Sequence, residues 1–215
     1  DHLGRAALRE ATESHFRAAS SSGKGRRVKK RIVGIGGTSA PRSSSLTALN
    51  AVLAAAAKEG AATTVLELGQ LGLPMYEHGV PVTDAVKRYA ETVSQADALV
   101  WSSPLYHGTI SGLFKNAIDW LEVLSGAEPA YLHDKPVGLV AVAAGGHALQ
   151  AISTMEHMVR ALRGWTVPYV VAVNRASDAF DRDGTVKSES VERQLTKLGA
   201  EIVRSANLFG AARDA

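Results

Sequence analysis

A chain of 215 residues, 46% of them apolar and with a formal net charge of +3, suits one α/β domain with a tail to spare. The absence of cysteine excludes disulfides, thiolate nucleophiles and thiolate metal sites, so any redox chemistry has to come from a cofactor. Residues 1–31 carry nine basic and three acidic side chains, which leaves the body mildly acidic, with no electrostatic footprint for nucleic acid.

In chain order, Leu3, Ala7, Leu8 and Ala11 outline a short helix, and Ser20 to Gly25 is linker chemistry. The basic run Lys24 to Arg31 reads as a solvated linker ahead of the first strand. Residues 1–30 are thus expected as a tail, without a signal peptide, and residues 31–210 as the folded domain. The first strand is read over residues 32–35, and an Ala-rich helix over 46–58 ends at Gly60. A second strand follows over 63–68, then a long loop over 69–81. Residues 82–95 form a helix with Thr83 as N-cap and Val86, Tyr89, Ala90 and Val93 on one face. The third strand covers 98–101, and a loop punctuated by Pro104 and Gly108 leads to a helix over 111–123. The fourth strand covers 137–142, its helix 148–162, and the fifth strand 166–173. A polar loop over 174–185, with turn chemistry at Asp181 to Gly184, precedes a last helix over 186–206.

Five apolar strands alternating with five helices predict a doubly wound parallel sheet with helices on both faces. Two strand orders are common for such sheets, the dinucleotide-binding order and 2-1-3-4-5. In either order, ligands bind beyond the carboxyl ends of the strands. The loop after strand one runs Gly36-Gly-Thr38-Ser39-Ala40-Pro41-Arg42-Ser43-Ser44-Ser45 into a helix. Helix N-termini favour anions, five hydroxyls can bond a terminal phosphate, and Arg42 can add charge. The dinucleotide fingerprint fits poorly, because Gly34-x-Gly36-x-x-Ser39 lacks its third glycine and Pro41 interrupts the helix start.

After strand three, Pro104-Leu105-Tyr106-His107-Gly108 continues into Ser111-Gly112-x-x-Lys115-Asn116-Ala117-x-Asp119-Trp120. After strand four comes Gly145-Gly146-His147, later followed by Gly164-Trp165-x-Val167-Pro168, and after strand two Leu73-Pro74-Met75-Tyr76. Across roughly residues 32–170, this combination resembles the NAD(P)H-dependent FMN reductase family. One departure stands out: the arginine usual in that family's phosphate loop falls on Ala40, while this chain carries Arg42 two places later.

The resemblance implies a flavodoxin-like five-stranded sheet of order 2-1-3-4-5. It implies FMN as cofactor, with Thr38, Ser39, Arg42, Ser44 and Ser45 toward its phosphate. Pro104, Leu105, Tyr106, His107 and Gly108, with Gly145 and Gly146, would lie beside its ring. Implied too are NADPH or NADH as co-substrate, and a quinone, azo compound, metal oxyanion or free flavin as acceptor. A monooxygenase partner taking reduced flavin and assembly into a homodimer or homotetramer belong to the same expectation, with Trp120 as an interface residue. Catalysis would be flavin-mediated, with no catalytic side chain, in a cytoplasmic enzyme. The alternative is a flavodoxin-like electron carrier or flavin-binding module without pyridine-nucleotide activity, and a dinucleotide-binding protein ranks below it.

Other chemistries find no motif. Seven scattered histidines include no HExxH, so no metal site is expected. No Gly-x-Ser-x-Gly elbow occurs, and no run approaches the roughly 18–20 apolar residues that span a bilayer. Lys115 and Asp119, four apart, are read as a helix-surface pair.

Overall fold

The computed structural model describes residues 29–40 and 43–213. The expected tail helix and linker lie outside the described residues, as do Pro41 and Arg42. The described elements are β1 (Arg31–Gly36), α1 (Ser44–Lys58), β2 (Ala62–Glu67), α2 (Asp84–Ser94), β3 (Ala98–Tyr106), β4 (Thr109–Ile110) and α3 (Gly112–Asp119). There follow β5 (Pro136–Val142), α4 (Leu149–Ala161), β6 (Trp165–Val173), α5 (Ala176–Ala179) and α6 (Glu189–Arg213).

Alternation along the strands splits the core in two. Val33, Ile35, Leu99, Trp101, Val137 and Leu139 turn to one face, where α2, α3 and α4 cover them. Ile32, Ala98, Val100, Val140, Val142 and Val171 turn to the other, against α1 and α6. The α2 face is buried as its period predicts, through Val86, Tyr89, Ala90 and Val93, and Thr83 caps the helix by accepting the Val86 N–H. Burial pushes the Tyr89 phenol above its ordinary range, so it stays protonated as a core aromatic. On the other face, α1 and α6 meet at Gly199. A Cβ there would stand 2.5 Å from the Ala55 Cβ and 2.7 Å from the Val52 carbonyl.

The sheet runs β2-β1-β3-β5-β6, all parallel, with β4 added antiparallel on β3. This is the flavodoxin-like order expected from the sequence, with a two-residue sixth strand inserted. The edges are less apolar than the centre: Thr63, Thr64 and Val65 of β2 are exposed. Pro168 lies on edge strand β6 where the register with β5 shifts, a position in which the missing N–H costs least.

Several boundaries differ from the sequence expectation. Strand three does not stop at Trp101 but continues to Tyr106, so Pro104, Leu105 and Tyr106 are strand residues. They pair back on Thr109–Ile110 as a hairpin. Its two-residue turn is His107-Gly108, with φ of 49° and 87°. Two left-handed residues make a type I′ turn, the one that matches strand twist. The helix after it ends at Asp119 and tightens into a 3₁₀ turn over Trp120–Leu124. The loop expected over 174–185 holds the one-turn α5, and the last helix starts at Glu189, three residues later than expected, and runs on to Arg213. Among the described residues no helix is long and apolar enough to cross a membrane.

Candidate active site

Every long strand is parallel, so the loops after β1, β3, β5 and β6 leave one edge of the sheet. The strand order reverses between β1 and β3, with β2 added on one side and β3 on the other, and open sheets form their ligand crevice at such a switch.

At the β1 end, Ser43 is the N-cap of α1, and its hydroxyl accepts the Leu46 N–H at 3.2 Å. Ser44 is half-buried in the first turn. Ser45 is buried, its hydroxyl 3.2 Å from that of Ser43. Thr38 turns its hydroxyl onto the Ala40 backbone, and Ser39 is exposed. Ser43 and Ser44 border a cavity of about 830 Å³ that Thr47, Phe180, Arg182 and Lys187 also line. Lys187 pairs with Asp181 at 3.5 Å. Sequence reasoning read Asp181 to Gly184 only as a turn. The signal that could have exposed its second face was the pair of cations, Arg182 and Lys187, beyond the last strand.

At the β3 end, two buried hydroxyls fix the neighbouring loops. Ser102 donates to the Ser45 carbonyl at 2.7 Å, tying the start of α1 to the sheet. The Ser103 hydroxyl donates to the Pro104 carbonyl at 2.9 Å and accepts the Ser111 N–H at 3.1 Å, which closes the base of the hairpin. Neither serine was singled out from the sequence, although paired hydroxyls in a buried apolar strand are a usable signal. Beyond them Pro104 is buried, Leu105 half-buried, and Tyr106, His107 and Gly108 exposed at the hairpin tip. The tip is tethered to α4 by Thr109 and Thr154, whose hydroxyls lie 3.2 Å apart.

At the β5 end, Ala144 to His147 are exposed. A Cβ on Gly145 or Gly146 would meet nothing within 4 Å. Among the described residues, the N–H groups of these two glycines donate to no partner. The α1 N-terminus, the hairpin and two open glycines, which the sequence placed in three separate loops, thus leave the same edge of the sheet. Lys115 and Asp119 form the expected surface pair at 2.6 Å.

Trp120 departs from its expected interface role. It is 1% exposed, and its indole N–H donates to the Pro74 carbonyl at 2.7 Å. Asn116 donates to the same carbonyl at 2.9 Å and accepts the Tyr76 N–H at 2.7 Å. Tyr76 packs edge-on against Trp120, with ring centroids 5.2 Å apart. An indole needs a partner for its N–H when buried, and the Leu73–Tyr76 segment supplies it. Trp120 therefore pins a loop of its own chain.

The sequence profile of the NADPH-dependent FMN reductase family matches residues 30–178, the span that holds all three crevice loops. The chain belongs to this family. It is 30% identical over 134 residues to the NADPH-dependent FMN reductase ArsH of Acidithiobacillus ferrooxidans, an alignment covering 62% of this chain and 56% of that protein. It is 34% identical over 110 residues to an FMN-dependent NADPH-azoreductase of Staphylococcus haemolyticus, covering 51% of this chain and 55% of the other. The chain thus spans just over half the length of these relatives. Among solved structures it is similar to FerB, a flavoenzyme NAD(P)H:(acceptor) oxidoreductase of Paracoccus denitrificans. There the TM-score is 0.68 at 21% identity, covering 83% of this chain and 97% of that one. A WrbA-like flavodoxin from Agrobacterium tumefaciens aligns with TM-score 0.59 at 16% identity, covering 84% and 98%. At such identities these two likenesses establish the shared flavodoxin-like fold.

Proposed function

We propose that this chain is an FMN-dependent NAD(P)H oxidoreductase that reduces a small-molecule acceptor. FMN, when bound, would supply the redox chemistry, a hydride acceptor for NADPH or NADH and an electron donor to a quinone, azo compound, metal oxyanion or free flavin. The observation that carries the proposal is the donor set at the crevice. Unbonded N–H groups of Gly145 and Gly146 stand in open space on the same sheet edge as a capped, hydroxyl-bearing helix N-terminus. A flavin mononucleotide presents that pair of needs, a polar ring edge and a terminal phosphate.

Each part of the chain then has a task. The α1 N-terminus, with Ser44, half-buried Thr38 and exposed Ser39, would hold the phosphate through hydroxyls and the helix dipole. Ser45 is turned inward, so its contribution runs through its bond to Ser43 and through its carbonyl, held by Ser102. Arg42 remains the proposed cation of this loop. The hairpin from Pro104 to Gly108 would wall one side of the ring, with Tyr106 exposed for stacking. The Gly145 and Gly146 N–H groups would donate to the ring's polar edge and favour its reduced, more negative form. No side chain is required as acid or base, so the protein's part is positioning. The proposal extends to a cytoplasmic homodimer or homotetramer, with a monooxygenase as one taker of reduced flavin.

The test is direct. Purified protein, reconstituted with FMN, should show a flavin visible spectrum and oxidise NADPH or NADH in a manner that depends on FMN. Protein that neither takes up FMN nor oxidises either nucleotide when FMN is added would reject the proposal.

A further inference from the structure

Helix α4 starts directly behind the two open glycines, and it starts without a cap of its own. Its N-cap position is Ala148, which has no side chain to offer the orphan N–H groups and is itself fully buried. The Ala148 N–H is satisfied from elsewhere: it donates to the side-chain carbonyl of Asn174 at 2.9 Å. Asn174 is the first residue beyond β6, 26 positions away in sequence. The next two residues continue the stitch. The Arg175 N–H donates to the Gly145 carbonyl at 2.6 Å, and the Ala176 N–H to the Ala143 carbonyl at 3.0 Å. To make this turn Arg175 adopts a left-handed conformation, φ 49° and ψ 64°, which non-glycine residues hold only where surrounding contacts fix it. His147, on the other side of the stitch, is also left-handed at φ 70°.

Three consecutive residues after β6 thus hold positions 143, 145 and 148 of the loop after β5. Between those anchors the one further backbone bond among the described residues is the His147 carbonyl accepting the Gln150 N–H at 2.9 Å, and the Gly145 and Gly146 N–H groups stay unbonded. Donors fixed in place before a ligand arrives bind it more tightly than donors that must be ordered on binding. We propose that Asn174 is a positioning residue. By capping α4 across the strand boundary, it holds the Gly145–Gly146 donors in the orientation that receives the flavin ring. The proposal rests on the flavin reading of the crevice. Asn174 reaches the ring only through the loop it anchors.

Asn174 is exposed, so shortening it opens no core cavity and the variants fold. Asn174→Ala removes the acceptor for the Ala148 N–H. Asn174→Asp keeps an acceptor and places a negative charge at a helix N-terminus, where it is favoured. Two measurements separate positioning from folding. The first is amide hydrogen exchange of Ala148, Arg175 and Ala176, the bonded N–H groups of the stitch, in protein free of flavin. The second is the FMN dissociation constant, taken well below the melting temperature of every variant.

The expected result is faster exchange at Ala148, Arg175 and Ala176 in Asn174→Ala, with an FMN dissociation constant raised about fivefold, the scale of one lost hydrogen bond. Asn174→Asp should restore both. Unchanged exchange in Asn174→Ala, or failure of Asn174→Asp to restore it, would overturn the anchoring. Faster exchange with unchanged FMN affinity would overturn the link to the flavin. Wild-type protein that binds no FMN, while exchange still responds to Asn174→Ala, would reject the flavin reading and with it the functional half of the proposal, leaving only a structural cap.

Discussion

Ser43, Ser44 and Ser45 look alike in the sequence and do three different things. Ser43 points along the helix and caps it, Ser44 lies half-buried beside the cavity, and Ser45 turns inward to pair with Ser43. The difference is helical phase: successive residues are about 100° apart around α1, so one faces the sheet when its neighbours do not. Substitutions should separate these tasks. Ser43→Ala removes a cap and should cost about 0.5–2 kcal/mol of stability, read by urea unfolding. Ser44→Ala leaves the cap intact and should weaken FMN binding by about 0.5–1.5 kcal/mol, read by fluorescence titration, without lowering stability. An unchanged FMN dissociation constant in Ser44→Ala would move the phosphate away from α1.

At the scale of elements, two glycines give opposite answers to the same addition. Gly199 lies where α1 and α6 touch, and a Cβ there would meet the Ala55 Cβ at 2.5 Å and backbone atoms of Val52 and Ala56 at 2.7 and 3.0 Å. Alanine gains about 1 kcal/mol of helix propensity over glycine, but overpacking against backbone costs roughly 1–3 kcal/mol. Gly199→Ala should therefore lower stability on balance, as seen in the urea midpoint, because the contact cannot yield. Gly146 ends the loop after β5 in open space. Gly146→Val should fold normally and lose FMN affinity by more than tenfold, since its side chain occupies the crevice while touching no core atom. A folded Gly146→Val protein with full flavin occupancy would place the ring elsewhere.

At the scale of the whole molecule, a ligand that binds only the folded state stabilises all of it. FMN at a hundred times its dissociation constant should add about 2.7 kcal/mol, which for a chain of this size raises the melting temperature by roughly 5–10 °C. Riboflavin lacks the phosphate and should give less than half that shift at the same concentration. Equal shifts would show that the α1 N-terminus holds no phosphate. The measurement suits the full chain, because it reads every element that the crevice couples: α1 through Ser102, the hairpin through Ser103, and the glycine loop through Asn174.

The alternation of apolar runs with helical periods, read from the sequence alone, determined the parallel sheet, because strands buried on both faces leave that pattern wherever they occur, whereas the flavodoxin-like order was implied by the family resemblance of the loops. It determined the α2 face and the Thr83 cap as well, since both depend on residues within a few positions of each other. The motifs placed the three crevice loops. Tertiary structure alone decided the rest. His107-Gly108 turns the presumed loop into a hairpin because β4 finds β3 to pair with, although His-Gly is a less familiar turn signal than Asn-Gly. Trp120 became a core residue because Pro74, 46 positions away, offers its carbonyl. Ser102, Ser103 and Asn174 act through hydrogen bonds to residues brought close by the sheet, and Arg182 lines a cavity whose other wall is α1. Local periodicity is written in neighbouring residues. A hydrogen bond between distant residues is fixed only when the packed sheet sets the two groups about 3 Å apart.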